Sequence, residues 1–356
     1  MALKFHSLRI SEIRRETEDT VSIAFEIPSE LRADYTFLSG QYLTIKAKID
    51  NEELRRSYSL CSAPHEDEWR IAIKQVPNGK FSTFANKELK PGASLDIMTP
   101  TGNFILQPNK TNSKSYVLFA AGSGITPVLS ILKTVLKSEP NSNITLFFGN
   151  KGFASIIFRE EIEGLKNQYM DRLRIVHILS REGLENSIQH GRIDNTKVEK
   201  LYDAFLAGSS IDAVYICGPE SMIHGVKESM VAKGVDEAKI YYELFTTPSA
   251  QKTDIQNSEA IEKIESNVTV IMDGDSVDLH LKSTGKSVLE AAHDAGADLP
   301  YACKGGVCCT CKARIIEGSV IMDVNYSLTQ EEINKGFILT CQSHPTSDKL
   351  IVSFDE

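Results

Sequence analysis

Cys303, Cys308 and Cys311 stand as C-x4-C-x2-C, and Cys341 follows thirty residues later. That spacing suits four thiolates around a [2Fe-2S] rhomb, with one loop wrapping the inorganic core and a distant segment returning to close it. Few folds satisfy both demands. Gly305 and Gly306 let the backbone approach closely, so that N–H groups between Lys304 and Thr310 can point at the sulfur atoms. A zinc ion is the competing occupant, but zinc ribbons bring two C-x2-C knuckles and only Cys308 with Cys311 makes such a pair. A disulfide framework belongs to small secreted domains, whereas this chain has 356 residues and seven cysteines. Cys309 and Cys61 read as small buried hydrophobes. Thiols that must stay free to take up iron imply a reducing, cytoplasmic setting.

The length exceeds one ordinary core and predicts two or three domains. The longest uncharged apolar stretch, Tyr116 to Leu132, is interrupted by Gly122-Ser123-Gly124 and Thr126-Pro127, so it reads as a buried strand, a turn and a helix. With no secretory pattern at the amino end, neither secretion nor a membrane span is expected. Residues 1–110 carry short alternating segments, Thr20 to Ile27, Gln41 to Ile49 and Trp69 to Val76, the pattern of an antiparallel barrel or sandwich. In residues 111–247 the apolar runs Tyr116–Ala121, Asn143–Gly149, Leu173–Leu179, Ala213–Cys217 and Lys239–Leu244 alternate with helical stretches and predict a parallel α/β sheet. Residues 248–266 are polar without apolar periodicity and read as a flexible linker. The remainder, 267–356, predicts a compact domain with two leading strands, a helix near Ser287 to Ala295 and a closing strand at Leu350 to Phe354. It holds 13 Asp and Glu against 7 Lys and Arg, most of the chain's net charge of −9. Such a surface argues against nucleic acid and for an electropositive partner, unless it serves solubility alone.

Two further groups of residues carry binding chemistry. Arg56-Ser57-Tyr58-Ser59 follows a strand, and arginine, tyrosine and serine can meet a phosphate, a flat ring and a ring nitrogen respectively. The stretch Lys74 to Thr83 offers a turn at Gly79 and a helix start through Lys80, Phe81 and Ser82, suited to a pyrophosphate. Gly122-Ser123-Gly124-Ile125-Thr126-Pro127 sits between a strand and a helix, where glycines permit close approach of a dinucleotide. It departs from G-x-G-x-x-G, so an ordinary Rossmann site is not indicated. Cys217-Gly218-Pro219 repeats the strand-to-helix transition at the same sheet edge. Ser180 and Arg181 follow another strand and can grip a 2′-phosphate, pointing to NADPH; a plain surface turn is the alternative.

Taken in this order, Arg56-x-Tyr58-Ser59, Gly79-Lys80-Phe81-Ser82, Gly122-x-Gly124-Ile125-Thr126-Pro127, Cys217-Gly218-Pro219 and the four cluster cysteines resemble the ferredoxin-NADP reductase superfamily fused to a plant-type ferredoxin. Within it the chain is similar to the group of reductases that serve phenylacetyl-CoA ring 1,2-epoxidation. The resemblance implies a β-barrel FAD domain, an NAD(P)H domain and a C-terminal β-grasp ferredoxin domain of α+β type. It further implies that Arg56, Tyr58 and Ser59 bind FAD, with Ser59 near the reactive flavin nitrogen, Lys74 along the ribityl chain, and Gly79 and Ser82 around the pyrophosphate. Gly124 and Thr126 would face the nicotinamide, as would Cys217, with Ser180 and Arg181 on the 2′-phosphate of NADPH. A related group uses FMN with a glycine-rich loop where this chain has Lys80-Phe81, which favours FAD.

The implied activity is electron transfer from NADPH through FAD and the [2Fe-2S] cluster to a terminal oxygenase component, by resemblance a di-iron protein. Three other readings share parts of the pattern: the reductase of a Rieske-type ring or steroid hydroxylase, a flavin and iron-sulfur redox sensor, and the oxygenase itself. The last needs two Glu-x-x-His motifs, and Glu290 with His293 is the single instance, read as a solvent-facing helix pair.

Overall fold

A computed structural model describes residues 4–182, 187–245 and 264–355. Most of the expected linker, residues 248–263, lies outside the described residues.

Six antiparallel strands build the first unit: β1 (Phe5–Thr17), β2 (Thr20–Glu26), β3 (Tyr42–Ile49), β4 (Glu52–Ser59), β5 (Trp69–Lys74) and β6 (Ser94–Met98). Their order is β4-β3-β6-β1-β2-β5, and a bridge from Leu60 to Ile71 ties the outer strands into a barrel. Because side chains alternate along a strand, Leu8 and Ile10, Val21, Ile23 and Phe25, and Leu43 and Ile45 all point into one core. Helix α1 (Lys80–Lys87) follows β5 and caps that core with Phe81 and Ala85.

The second unit is a parallel sheet of β7 (Ser115–Ala121), β8 (Asn143–Asn150), β9 (Leu173–Leu179), β10 (Ala213–Cys217) and β11 (Ile240–Glu243), interleaved with α2 (Ile125–Ser138), α3 (Arg159–Gln168), α4 (Asn195–Phe205) and α5 (Glu220–Ala232). Its strands are apolar on both faces because each face is covered. Leu118 and Ala120 pack with α2 and α3, while Val117 and Phe119 pack with α4 and α5. The strand order β11-β10-β7-β8-β9 places the reversal of winding between β7 and β10. A crevice therefore opens at the carboxyl ends of those two strands.

The third unit contains β12 (Glu265–Met272), β13 (Asp275–Lys282), α6 (Val288–Asp294), β14 (Lys312–Glu317), β15 (Val320–Met322), α7 (Gln330–Asn334), β16 (Phe337–Leu339), β17 (Ser343–Pro345) and β18 (Lys349–Ser353). Its first and last strands pair in parallel, giving the mixed sheet β13-β12-β18-β14-β16 of a β-grasp domain, with Val288, Leu289 and Ala292 of α6 in its core. Ser287 and Glu290 cap α6 reciprocally, so Glu290 has a structural task. His293 is not solvent-facing as expected: its ring packs edge-on against Tyr301 at 4.8 Å. Among the described residues, no helix is long and apolar enough to cross a membrane.

Candidate functional site

The barrel, the crevice and the cysteine loop meet at one cleft of about 440 Å³, a size suited to a small-molecule cofactor. It is lined by Arg56, Tyr58, Ser59, Lys74, Gly79, Lys80, Phe81 and Ser82 from the barrel, Ser123 and Thr126 from the crevice, and Cys303 and Cys308 from the loop. A smaller cleft of about 280 Å³ lies at the opposite, amino ends of β7, β8 and β9, beside Arg172 and Arg174, and holds none of the sequence-predicted residues.

Tyr58 is presented by the end of β4 and is backed by Phe81, the two rings stacked at 5.7 Å. Phe81 is itself fully buried in the barrel core, so it acts by supporting Tyr58. Gly79 is needed for close packing, since a Cβ there would collide with Ser82 Oγ and meet Val76 Cγ2 at 2.5 Å. Ser82 Oγ in turn accepts the Val76 N–H at 3.2 Å and fixes the turn. No side chain caps α1, which leaves its first N–H groups to an anion in the cleft. Arg56, Lys74 and Lys80 place positive charge along the same wall.

Across the cleft, Ser59 Oγ of the barrel donates to Glu243 Oε2 at the end of β11 at 3.0 Å. Sequence reasoning missed Glu243 as a site residue. Its only signal is a charged position ending an apolar strand, and nothing local says that β11 will face the barrel. Burial pushes its carboxyl up to about 8, with the Ser59 hydroxyl pulling weakly the other way. The group is thus neutral at pH 7 and becomes a carboxylate as pH rises through that value. A negative charge on this wall opposes an incoming anionic dinucleotide. The rate of flavin reduction by NAD(P)H is therefore expected to fall as pH rises through about 8, and Glu243→Gln is expected to flatten the profile. Stopped-flow absorbance across pH 6.5 to roughly 9.5 reads this directly; an unchanged inflection in the variant would assign it elsewhere.

In the crevice, Gly122 has φ +54° and a Cβ there would meet nothing within 4 Å, so it faces open space. Gly124 is the reverse case: a Cβ would collide with the Cys217 carbonyl oxygen and stand 2.9 Å from Gly218 N. The two strand-to-helix turns are thereby pressed together. Ile125 and Pro127 start α2 as buried residues, and Thr126 Oγ1 donates to Ser123 O at 3.0 Å. Cys217 is fully buried and does not line the cleft; it pairs in register with Glu243 on the neighbouring strand. Gly218 lies against Ala121 and Met222, and Pro219 opens α5. Ser180 and Arg181 follow β9, two strand spacings from β7, about 10 Å. Their backbones are pinned to Asn150 O and Lys151 O, and the Arg181 side chain is exposed.

The four cysteines gather as two pairs. Cys308 Sγ lies 3.1 Å from Cys303 Sγ, and Cys311 shares a hydrogen bond with Cys341. Two pairs facing each other fit two irons with two thiolates each, whereas no three Cys, His, Asp or Glu side chains among the described residues converge on a single ion position. The thiol of Cys303 is held below its ordinary value by the Cys308 hydrogen bond and by backbone N–H groups of Gly305, Val307 and Cys308. Cys341 is lowered first by its hydrogen bond with Cys311, then by Gln342 Nε2 and the Gly306 N–H. Lys304 at φ +52° and Gly306 at φ +73° bend the loop so that these N–H groups turn inward. The donor set thus fits the cluster. Cys309 points away, toward Ser327 O at 3.5 Å, and Cys61 is buried and donates to Arg70 O.

The C-terminal domain is seated on the barrel by polar contacts that local sequence did not signal. Buried Arg55 donates to Asp298 Oδ1 at 2.6 Å and to Leu299 O, with its guanidinium 4.4 Å from the Tyr301 ring centroid. Asn103 donates to Ser327 O and to Glu332 Oε2.

Three domain families match the three units: residues 7–105 the oxidoreductase FAD-binding domain, residues 118–228 the oxidoreductase NAD-binding domain, and residues 270–346 the 2Fe-2S iron-sulfur cluster binding domain. The chain is 40% identical over 351 residues to a component of the 1,2-phenylacetyl-CoA epoxidase of Escherichia coli K12, covering 99% of this chain and 98% of that one. It is 32% identical over 356 residues to the ferredoxin reductase component of 3-ketosteroid-9-alpha-monooxygenase from Rhodococcus rhodochrous, covering 98% and 96%. The fold of phthalate dioxygenase reductase superposes with a TM-score of 0.59 at 22% identity, covering 98% of both chains.

Proposed function

Because the chain belongs to the family of NAD(P)H-dependent flavin and iron-sulfur reductase components of oxygenases, we propose that its electron acceptor is the di-iron oxygenase component of a phenylacetyl-CoA ring 1,2-epoxidase and that NADPH is its donor. The observation that carries the acceptor is the 40% identity to the epoxidase component across essentially the full length of both chains. FAD, when bound, takes two electrons together as a hydride from the nicotinamide and releases them singly, as a [2Fe-2S] centre requires.

Every other task falls to the protein. Arg56, Lys80 and the open amino end of α1 would hold the pyrophosphate, and Lys74 would lie along the ribityl chain. Tyr58, backed by Phe81, would pack on the isoalloxazine, and Ser59, held by Glu243, would stand near its reactive nitrogen. Gly122 leaves the crevice open to the dinucleotide, Gly124 and Gly218 let the two strand-to-helix turns pack closely, Thr126 would meet the dinucleotide from the start of α2, and Cys217, buried outside the cleft, supports the turn beneath Gly124. Orientation is the protein's main contribution, because hydride transfer needs two flat rings held face to face. The acidic C-terminal domain then presents its charge to the acceptor.

Mixing the purified reductase and NADPH with the epoxidase oxygenase and phenylacetyl-CoA tests the acceptor. Turnover is expected, and failure alongside turnover with a Rieske-type steroid hydroxylase would favour the second reading, which rests on the 32% identity to the steroid system. For the donor, Arg181→Ala is expected to raise the KM for NADPH by about 10- to 100-fold, the loss of one charge-assisted phosphate contact, and to leave that for NADH in place. Equal losses with both nucleotides would remove Arg181 from the 2′-phosphate site.

A further inference from the structure

Strand β4 faces two ways. Leu54 and Tyr58 pack with the barrel core, while Arg55 and Ser57 lie on the opposite face, because side chains alternate along a strand. Cross-strand neighbours on β3 continue that outer face, with Tyr42 opposite Ser59 and Thr44 opposite Ser57. The cluster domain sits on it. The Cys309 N–H donates to the Tyr42 phenol oxygen at 3.0 Å, and Thr310 Oγ1 lies 3.4 Å from Thr44 Oγ1.

Arg55 supplies the charged contact of this seat. Glu53 of the same strand holds its guanidinium, Nε donating to Oε1 at 2.9 Å, and both remaining nitrogens serve the cluster domain. Nη2 donates to Asp298 Oδ1 at 2.6 Å and Nη1 to Leu299 O at 3.2 Å, while the guanidinium carbon stands 4.4 Å from the Tyr301 ring centroid. A planar fork reaches acceptors in several directions at once, which a lysine ammonium on a flexible stem does not. The Arg55 side chain is 3% exposed, so the loss of a partner leaves a buried charge uncompensated.

Asp298, Leu299 and Tyr301 form the segment that runs into Cys303. Cys303 and Cys308 are the two ligands that line the cleft beside Tyr58. A shift of the segment gripped by Arg55 therefore moves the ligands that face the flavin wall. The nucleotide domain stands between barrel and cluster domain in the chain, and Arg55 and Asp298 are 243 positions apart. Their relative placement is thus set by contacts of this kind.

We propose that Arg55 is a positioning residue for the passage of electrons from flavin to cluster: by gripping Asp298, Leu299 and Tyr301 it keeps the Cys303 side of the cluster domain against the flavin cleft. In that step the reduced flavin loses one electron and the oxidised cluster gains it, and tunnelling falls off exponentially with the gap. A rate that requires the seated arrangement scales with the fraction of molecules seated. Hydride transfer to the flavin comes earlier and does not use this face of β4. The inference rests on the flavin and cluster assignments given above and holds whichever oxygenase accepts the electrons.

Anaerobic stopped-flow mixing of the full-length holoprotein with NAD(P)H separates the two steps, flavin bleaching first and cluster bleaching second, with freeze-quench EPR counting the reduced cluster. Arg55→Ala is expected to keep the first phase at the parental rate and to slow the second by roughly 10- to 100-fold, the scale of a displacement of about 1 Å between reacting groups. Arg55→Lys keeps the charge without the fork and is expected to recover little of that loss. Asp298→Ala removes the partner from the cluster side and is expected to slow the same phase; the double variant should be no slower than Arg55→Ala, since both changes break one contact. Small-angle X-ray scattering reads the seating without any electron moving, and the radius of gyration is expected to rise in both single variants. Parental second-phase rates in Arg55→Ala and Asp298→Ala overturn the proposal, as do parental scattering profiles, which would mean that other contacts seat the domain. A first phase slowed as much as the second also overturns it and makes Arg55 a general support of the barrel. Should Arg55→Ala lose its flavin, Asp298→Ala decides by the same two readouts.

Discussion

Cys311→Ser is expected to abolish electron delivery to one-electron acceptors such as cytochrome c while leaving the flavin reducible by NAD(P)H. Cys311 is fully buried and pairs with Cys341, so its loss leaves one iron with a single thiolate. Iron and sulfide content should fall with the activity, and the visible bands that remain should be those of flavin alone. Cys309→Ser is the matched control. Its sulfur faces Ser327 O, away from the ligand pairs, and a serine hydroxyl can donate to the same carbonyl. It is expected to keep its iron. Equal iron loss in both variants would mean that the loop collapses for reasons of packing and that the ligand assignment lacks support.

Gly124→Val is expected to be the most damaging single change in the nucleotide domain. The added atoms meet backbone, the Cys217 carbonyl and Gly218 N, which cannot rotate aside as a side chain would. To relieve the collision, the turn after β7 must separate from the turn after β10, and the crevice is defined by their contact. Overpacking of this kind costs about 1–3 kcal/mol, and a displacement of roughly 1 Å at a reacting centre lowers the rate on the order of 100-fold. Flavin content should survive, because the barrel has a separate core. Thermal unfolding, flavin content and the rate of flavin reduction by NADPH, measured together, check all three statements; parental values throughout would show that the close contact does not govern the site.

Much of this architecture is legible in the chain. Leu173–Leu179 and Ala213–Cys217 are the observed strands to the residue, because buried parallel strands are continuous apolar runs with abrupt ends. The helix expected near Ser287 begins one residue later, with Ser287 as its cap. By contrast β1, thirteen residues long, leaves little trace, since it carries Arg9, Glu12, Arg14 and Arg15 and its carboxyl half reads as a charged, solvated segment. Glu290 and His293 do share a helix, yet the histidine turns inward instead of toward solvent. Tyr301 reaches it from across a loop, and periodicity says nothing about loops.

Local units follow from the chain alone. Cysteine spacing dictates the ligands, alternation dictates a barrel, and glycines between strand and helix dictate where a dinucleotide can approach. All of these are properties of neighbours along the chain, governed by backbone geometry and the period of each element. What lies across from what is settled only when the three units come together. Ser59 and Glu243 are 184 positions apart and Tyr42 and Thr310 are 268 apart, yet both pairs are joined by hydrogen bonds. Such contacts depend on how three separate cores pack against one another, and the pairing of single polar groups across an interface leaves no periodic mark in either segment.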